Sequence, residues 1–251
     1  MSAPRYVALI PTFDNPDTVG DVVDAVRRHV PDVLVIDDGS GAAGRAAVAA
    51  LADRAGVQVH HRPRNGGKGQ ACLEGFEIAS ARGFSHALQV DADGQHALED
   101  VPRFIAASQR WPAALVAGVP RFGPEAPPSR VHGRKITRWW ARIETLGPVV
   151  DDPLCGFRIY PLEAVAGLRT GPRMEFDLEI AVRMVWQGTP VVNLETRVRY
   201  PEGGVSHFRM VADNARISMA HARLCCGAVA RLPWLLRGRG ARLEARHGQA
   251  A

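Results

Sequence analysis

Short apolar runs rich in β-branched residues alternate, in the first half of the chain, with longer stretches whose apolar residues recur every three or four positions. The first pattern is typical of buried strands and the second of amphipathic helices. Strands are therefore predicted at residues 6–11, 33–38, 57–62, 86–93 and 114–120, and helices at residues 18–29, 44–55, 69–82 and 98–109. This alternation predicts right-handed β-α-β crossovers and a mostly parallel sheet covered by helices on both faces.

The pattern changes after residue 120. A proline-rich stretch at residues 124–128 precedes a predicted helix at 131–146, a strand at 155–160, a helix at 176–187, a strand at 191–200 and helices from residue 208 onward. The predicted fold class is α/β, with a single mostly parallel, mixed sheet flanked by helices and a helical C-terminal tail. We expect one domain over residues 1–208, divided near residue 120, and a basic helical segment over residues 209–251.

The composition is that of a folded globular protein, since 46% of the 251 residues are apolar and 23% are charged. The four cysteines have no C-x-x-C spacing, which favours a reducing compartment over a disulfide or zinc framework. The N-terminus has no signal-peptide pattern. The longest apolar run near the C-terminus, at residues 232–236, is far shorter than the ~20 residues of a spanning helix. We expect a cytoplasmic protein, and peripheral attachment to the inner face of the cell membrane stays open.

Basic charge is concentrated at the C-terminal end. Residues 209–251 contain eight arginines against Asp213 and Glu244, so this segment carries +6 and the remainder −1 of the net charge of +5. Such a segment suits an anionic membrane surface, or it is simply the solvated face of a helix. Nucleic acid is not an expected partner.

The predicted helix at residues 131–146 carries an apolar stripe with basic neighbours. The apolar residues recur at three- and four-residue spacing, and they are Ile136, Trp139, Trp140, Ile143 and Leu146. Between them lie Arg134, Lys135, Arg138 and Arg142. This combination is typical of a helix at a membrane headgroup boundary. The alternative is that the stripe packs against the body of the protein.

Polar, loop-forming residues lie at the ends of four consecutive predicted strands. In parallel sheets of this kind, ligands bind beyond the carboxyl ends of the strands. The segments found there are residues 11–14 (Pro-Thr-Phe-Asp), 37–40 (Asp-Asp-Gly-Ser), 64–69 (Arg-Asn-Gly-Gly-Lys-Gly) and 91–96 (Asp-Ala-Asp-Gly-Gln-His). The sequence therefore predicts a binding site along this edge of the sheet.

Asp91 and Asp93 close the fourth predicted strand, where residues two apart point to the same face. Carboxylates suit Mg²⁺ or Mn²⁺, and such ions commonly complete their coordination with substrate phosphates. An acidic turn is the alternative, because D-x-D alone is a weak pattern. Its position on the fourth strand favours a metal that binds a nucleoside diphosphate.

The roles of two glycine-containing segments remain open. Residues 65–71 (Asn-Gly-Gly-Lys-Gly-Gln-Ala) place small residues and Lys68 before a helix start, where free amide groups attract anions. They do not match a P-loop, and a glycine-rich turn is often only a turn. Residues 37–40 could likewise contact a base or ribose, or cap a turn.

Taken in order, six segments resemble the family 2 glycosyltransferases, and particularly the branch of dolichyl- and polyprenyl-phosphate hexose synthases. The segments are residues 10–15 (Ile-Pro-Thr-Phe-Asp-Asn), 35–40 (Val-Ile-Asp-Asp-Gly-Ser), 65–71, 90–96 (Val-Asp-Ala-Asp-Gly-Gln-His), 152–160 (Asp-Pro-Leu-Cys-Gly-Phe-Arg-Ile-Tyr) and 175–179 (Glu-Phe-Asp-Leu-Glu). The resemblance implies a GT-A fold, with residues 1–120 as the nucleotide-sugar-binding half and residues 121–208 as the acceptor half.

The resemblance also implies roles for matched positions. The nucleotide-sugar donor would be bound by Pro11, Thr12, Asp14, Asp37, Asp38, Lys68, Asp91, Arg121 and Arg158. A Mg²⁺ or Mn²⁺ ion would be held by Asp91, Asp93 and Gln95. His96, beside this motif, is expected to form a hydrogen bond to one of the metal-binding residues. For His207, a contact with phosphate or metal and a purely structural role are equally expected.

The family is inverting, so the resemblance implies a single displacement without a covalent intermediate. A hydroxyl acceptor would need a base, for which Asp152 is the first choice and Glu175 the second, whereas a phosphate acceptor would need none. The implied acceptor is lipid-linked, either polyprenyl phosphate or a glycolipid, and residues 199–209 resemble proteins of aryl-polyene-type lipid assembly. Leu154-Cys155 and His207 depart from the polyprenyl-phosphate branch.

Other functions remain as alternatives. A glycosyltransferase with a soluble acceptor, or a non-catalytic nucleotide-sugar-binding scaffold, would share most of these motifs. A nucleotidyltransferase is disfavoured, because it needs a glycine-rich basic loop after the first strand, where this chain has Pro11 to Asp14. The donor sugar, the nucleobase and the oligomeric state stay open.

Overall fold

A computed structural model describes residues 3–123, 128–198 and 210–237 of the chain. Within these residues one sheet contains seven strands: β1 (Tyr6–Thr12), β2 (Val33–Asp37), β3 (Val57–His61), β4 (His86–Gln89), β5 (Leu115–Arg121), β6 (Arg158–Pro161) and β7 (Val191–Arg197). The strand order is β3-β2-β1-β4-β6-β5-β7. β6 pairs antiparallel with both β4 and β5, and the other pairings are parallel.

The helices connect the strands and cover both faces of the sheet. They are α1 (Val19–Arg27), α2 (Ala42–Ala49), α3 (Lys68–Ala81), α4 (Val101–Arg110), α5 (Pro128–Glu144), α6 (Leu162–Val165), α7 (Phe176–Trp186), α8 (Met210–Ala230) and α9 (Leu232–Arg237). A 3-10 turn, Leu98–Asp100, leads into α4. The mixed α/β sheet with helices at its C-terminal end is the architecture predicted from the sequence.

The central strand β1 shows why the sheet is covered on both sides. Ala8 and Ile10 belong to one apolar cluster, with residues of α1, α2 and α4, whereas Val7 and Leu9 belong to a second, with residues of α3, α6 and α7. Side chains alternate between the faces of a strand, so an unbroken apolar run predicts burial on both faces. A third cluster joins α7 to α8 through residues such as Leu178 and Leu224, and thereby fixes α8 against the domain.

The strand boundaries contain one correction. The fourth strand was predicted over residues 86–93, but β4 ends at Gln89, whose partner is Arg158 at the start of β6. Asp91 and Asp93 therefore lie in the loop that follows the strand, and the argument that they share one strand face is wrong. Both residues still lie beyond the carboxyl end of β4, as predicted.

The helix predicted at residues 131–146 also ends earlier, since α5 stops at Glu144. Leu146 has a positive φ of 52° and packs against the cluster between α7 and α8, so it does not belong to the exposed stripe. The other four stripe residues are exposed, with Ile136 at 61% and Trp139 at 57%, although the ring of Trp140 also lies 6.1 Å from that of His221 in α8. The alternative that the stripe packs against the domain therefore holds for only part of it. In the part of the chain described, no helix is both long and apolar enough to span a membrane.

Several sequence features lie outside the described residues. These are the proline-rich stretch up to residue 127, the end of the last predicted strand at residues 199–200, His207, and the basic segment after residue 237.

Candidate active site

A largely buried lysine, whose side chain is 13% exposed, joins three elements at the carboxyl edge of the sheet. Lys68 begins α3, and its Nζ atom lies 2.7 Å from Oδ1 of Asp91, in the loop after β4, and 2.7 Å from Oδ2 of Asp177, in the first turn of α7. Gln89, the last residue of β4, donates a hydrogen bond of 3.1 Å to Oδ1 of Asp177. The sequence motifs around Lys68 and Asp91 thus meet in space.

The charges at this centre stabilise one another. Burial lowers the pKa of Lys68, but the carboxylates of Asp177 and Asp91 outweigh it and raise that pKa well above its usual value. Burial raises the pKa of Asp91, but Lys68 and a hydrogen bond from His96 outweigh it and hold the pKa far below its usual range. At neutral pH the centre therefore contains an ammonium group and an ionised Asp91, whose side chain is 26% exposed.

Gly156 shows how the segment 152–158 reaches this centre. A Cβ atom at Gly156 would lie 2.6 Å from Oδ2 of Asp91 and 2.6 Å from Nζ of Lys68, which leaves no room for a side chain. The backbone thus closes directly over the ion pair. The adjacent Phe157 stacks on the ring of His96, with centroids 5.3 Å apart, and Nε2 of His96 lies 3.3 Å from Oδ2 of Asp91.

The glycine-rich segment is a turn built around Asp38. The carboxylate of Asp38 accepts hydrogen bonds from the backbone amides of Gly66, at 2.9 Å, and Gly67, at 2.7 Å, and also pairs with Arg62. Gly67 has a φ of 98°, a conformation that favours glycine. Because these amides already have protein partners, the structure favours the turn interpretation over an anion cradle, and Lys68 is the cation that this turn positions.

The ends of β1 and β2 are joined by a second set of contacts. Oδ1 of Asp14 accepts from the amide of Gly41 at 2.8 Å, and the amide of Asp14 donates to Oγ of Ser40 at 2.9 Å. Asp37 is fully buried and accepts from the amide of Ser40 at 2.9 Å. Burial raises the pKa of Asp37, but hydrogen bonds from the side chain and amide of Ser40 and the contact with His61 outweigh it and keep the pKa below its usual value.

The residues predicted to line the nucleoside pocket therefore differ in how accessible their side chains are. Pro11 and Thr12 are buried within β1, where Pro11 lies in register with Ile36. Asp37 and Asp38 are also buried, whereas Asp14 is half-buried at the rim. The structure brings all five to one edge of the sheet, and Asp14 has the most accessible side chain of the five.

The predicted metal residues lie next to one another in the loop after β4. Oδ1 of Asp93 accepts a hydrogen bond of 3.0 Å from the amide of Gln95, which orders the turn. Among the residues described, no group of three or more His, Cys, Asp or Glu side chains is arranged to hold a metal by itself. Two hard carboxylates nevertheless fit a cation that takes its remaining ligands from a diphosphate and water.

Two predicted donor contacts are occupied by other partners. Arg158 is fully buried, and its Nη1 donates to the carbonyl of Asp177 at 2.6 Å and to the hydroxyl of Tyr160 at 3.3 Å. Its side chain does not reach the cleft, so it differs from the expected donor contact and instead supports the turn that carries Asp177. Arg121 is exposed at the end of β5 and pairs with Glu195.

Both candidate bases are buried. Oδ1 of Asp152 accepts from Nη1 of Arg134 at 2.6 Å and from the amide of Leu154 at 3.0 Å. Oε1 of Glu175, just before α7, lies 3.4 Å from the amide of Arg173. Arg134 was predicted as part of the basic flank of the α5 stripe, but its contact with Asp152 turns it toward the site.

Sequence reasoning missed Asp177 and Gln89 as site residues. Asp177 stands in the segment 175–179, and a carboxylate between two apolar residues, Phe176 and Leu178, in a mostly buried helix is the signal that could have identified it. Gln89 is a polar residue in a fully buried strand, which is a similar signal.

Comparisons with known proteins identify the family. A family model described as Glycosyl transferase family 2 matches residues 7–165. The chain is also 31% identical to a polyprenol monophosphomannose synthase of Mycolicibacterium smegmatis, over 86% of this chain and 84% of that protein. The chain belongs to the family 2 glycosyltransferases. A second relative of this glycosyltransferase, an undecaprenyl-phosphate mannosyltransferase of Micrococcus luteus, is 32% identical over 65% of this chain and 69% of that protein.

Solved structures confirm the fold of this family 2 glycosyltransferase. A glucosyl-3-phosphoglycerate synthase of Mycobacterium tuberculosis, crystallised with Mn²⁺, UDP and phosphoglyceric acid, superposes with a TM-score of 0.71 at 16% identity, over 88% of this chain and 78% of that one. A second structure of that enzyme, with Mg²⁺ and UDP, gives a TM-score of 0.69 at 17% identity, over 88% of this chain and 79% of that one. The predicted GT-A fold is therefore confirmed.

Proposed function

We propose that this glycosyltransferase moves a hexosyl group from a nucleoside-diphospho-sugar to a lipid-linked acceptor, and that the acceptor is a polyprenyl phosphate. The observation that carries the proposal is the Lys68–Asp91 ion pair at the carboxyl edge of the sheet, where this fold class binds its ligands. Two relatives whose names specify mannosyl transfer to polyprenol or undecaprenyl phosphate support the choice of acceptor.

The donor would lie along the ends of β1, β2 and β4. Asp14 and Asp38 would be close to the nucleoside, and the buried Pro11, Thr12 and Asp37 would shape the floor beneath it. Asp91 and Asp93, with Gln95 beside them, would hold a Mg²⁺ or Mn²⁺ ion, which would neutralise charge on the leaving diphosphate. Structures of the related synthase with UDP and either ion support this choice.

Lys68 would stabilise the departing diphosphate. Breaking the bond between the anomeric carbon and the diphosphate leaves negative charge on the leaving oxygen, and a cation fixed in advance lowers that barrier. Lys68 is held in place by Asp91 and Asp177, both at 2.7 Å, so little reorganisation is needed. Arg121 could add a second cation if it exchanged Glu195 for phosphate.

The acceptor oxygen would attack the anomeric carbon from the side opposite the diphosphate, so that one displacement inverts its configuration. A polyprenyl phosphate is already anionic and needs no base. If the acceptor were a hydroxyl group, its proton would pass to a carboxylate, with Asp152 first and Glu175 second.

A lipid acceptor requires access to a membrane, and α5 offers a suitable surface. Ile136, Trp139, Trp140 and Ile143 are exposed on one side of this helix, and Lys135 and Arg142 are exposed beside them. Aromatic and aliphatic residues beside basic ones are typical of helices that lie in the headgroup region of an anionic membrane. We therefore propose that the enzyme is a peripheral protein at the cytoplasmic face of the cell membrane.

The experiment that tests the function is a transfer assay. The purified protein is incubated with a panel of UDP- and GDP-hexoses, Mg²⁺ or Mn²⁺, and a short-chain polyprenyl phosphate, and the lipid-linked sugar is measured by mass spectrometry. A matching polyprenyl alcohol and 3-phosphoglycerate serve as alternative acceptors, and Asp91→Asn is the inactive control. Transfer to 3-phosphoglycerate alone would establish a soluble acceptor, and donor binding without transfer to any acceptor would contradict the proposal.

A further inference from the structure

A cavity of about 470 Å³ lies between the loop at residues 169–172, α7 and α8. α7 and the residue before it contribute Glu175, Glu179 and Arg183, which are four residues apart and therefore share one helix face. α8 contributes Arg216, Met219 and Arg223, at three- and four-residue spacing. Two helix faces thus form the walls, and the loop closes one end.

This cavity lies apart from the Lys68–Asp91 centre, although Glu175, the second candidate base, forms part of its lining. Asp177, which holds Lys68, is two residues from both Glu175 and Glu179, and two residues correspond to about 200° around a helix. The loop at residues 171–172 also stands between the two regions, because a Cβ atom at Gly69 would lie 2.5 Å from the carbonyl oxygen of Gly171. The glycine-rich turn contacts one side of this loop and the cavity lies on the other.

The lining of the cavity is basic. Four arginines, Arg169, Arg183, Arg216 and Arg223, line it against two glutamates. Arg216 is also paired with Asp213 at 2.9 Å, and the net charge of this group is still +1. Glu179 is already occupied, since its carboxylate lies 2.7 Å from Nη2 of Arg223 and accepts from the amide of Gly171 at 2.9 Å. Arg183 is farther from Glu179, at 3.6 Å. Arg169 is exposed, and among the residues described it has no ion-pair partner.

Several polar atoms of the lining also lack hydrogen bonds. Nε of Arg183, Oγ1 of Thr170 and Oε2 of Glu175 are shielded from solvent and have no partner among the described residues. A buried polar group without a hydrogen-bond partner destabilises the folded protein. If these side chains rotated toward the cavity, a bound ligand would supply the missing hydrogen bonds. Arg183 and Thr170 can donate to acceptor oxygens, and Glu175 can accept from a hydroxyl group or a bound water.

We propose that this arginine cavity is a second anion site, distinct from the donor site, which binds a phosphate-bearing ligand. A phosphate group matches the net positive charge, and its oxygens suit the forked guanidinium donors. Two sources share this chemistry: a free phosphomonoester and the headgroup of an anionic phospholipid. The proposal depends on the cavity alone and does not require the donor site to act as described above.

The test compares two double variants that lose the same charge. Arg169→Gln/Arg183→Gln changes the cavity, whereas the control, Arg28→Gln/Arg45→Gln, changes arginines outside it. Phosphate and glycerol 3-phosphate are titrated by calorimetry, and binding is measured to vesicles of phosphatidylcholine with or without phosphatidylglycerol. Loss of charged hydrogen bonds predicts affinity at least about tenfold weaker in the cavity variant than in the control.

The two sources give different outcomes. Weaker binding of the soluble phosphates identifies a free phosphomonoester, and weaker binding confined to phosphatidylglycerol vesicles identifies a lipid headgroup. Either result supports the site. Equal binding by the cavity variant and the control, with both folded by circular dichroism, overturns it. Nucleoside diphosphate binding is measured in parallel and should be the same in both variants.

Discussion

The ammonium group of Lys68 lies 2.7 Å from a carboxylate oxygen of Asp177, a residue 109 positions later in the chain. This contact connects the first residue of α3 to the first turn of α7, and Asp91 holds the same ammonium group from the loop after β4. The cation of the proposed donor site is thus positioned by two distant segments, which meet only because α3 and α7 cover the same face of the sheet.

Replacing Asp177 with asparagine tests whether this contact positions Lys68. The change keeps the size and removes the charge, so we expect the free energy of unfolding to fall by about 1.5–3 kcal/mol through the loss of a charged hydrogen bond. Nucleoside diphosphate affinity should also fall, because Lys68 would be drawn wholly to Asp91. Thermal unfolding and calorimetry measure the two effects, with the exposed Asp21→Asn as control. A loss of stability with unchanged nucleotide affinity would assign Asp177 to the fold alone.

Removal of the metal or of Asp93 tests the proposed cation site. We expect nucleoside diphosphates to stabilise the wild-type protein only when Mg²⁺ or Mn²⁺ is present, by about 2.7 kcal/mol at a hundredfold excess over the dissociation constant. Asp93→Asn should abolish this metal-dependent stabilisation while the fold survives, since only one carboxylate charge is lost. The measurement is a thermal shift with metal and with chelator. A folded Asp93→Asn protein that keeps the full effect would sink the assignment.

The choice of base is tested at Asp152. If the acceptor is a hydroxyl group, Asp152→Asn should lower turnover by about 10²–10⁴-fold with little change in donor binding, because proton transfer is lost. The adjacent Asp151→Asn is the matched control. Single-turnover assays compare both with Glu175→Gln. If the acceptor is a polyprenyl phosphate, Asp152→Asn should lower turnover less. Any remaining loss of turnover would then come from displacing Arg134, which lies 2.6 Å from Asp152.

Membrane docking is tested at the exposed face of α5. Trp139→Ser/Trp140→Ser removes two large side chains that are 57% and 36% exposed, so the fold should survive. Burial of a large apolar side chain contributes about 1.5–3 kcal/mol, and binding to anionic vesicles should therefore weaken at least about tenfold. Co-sedimentation with the vesicles at low and high salt measures the binding. The control is Trp111→Ser, because Trp111 lies at the end of α4, away from this face, and is similarly exposed, at 39%. Wild-type protein that stays in the supernatant at low salt would contradict peripheral binding.

Most strands of the sheet, and the edge of the sheet where the candidate site lies, could be predicted from the amino-acid sequence alone. Local rules were sufficient, because apolar periodicity reports burial and the carboxyl ends of parallel strands meet at one edge. The same rules found Lys68 and Asp91, and the order of the six motifs identified the family. The residues around Asp38 were left open between a ligand contact and a turn, since both uses require the same residue types.

The contacts that those residues make became apparent in the folded structure and not before. The early end of β4 follows from its antiparallel pairing with β6, a contact between segments about 70 residues apart that no local pattern encodes. Asp177 reaches Lys68, Gly156 closes over the ion pair, and Arg158 is enclosed in the core, all through long-range packing. A sequence pattern indicates which faces are buried, but which polar groups pair there depends on how whole helices and loops are placed around the sheet.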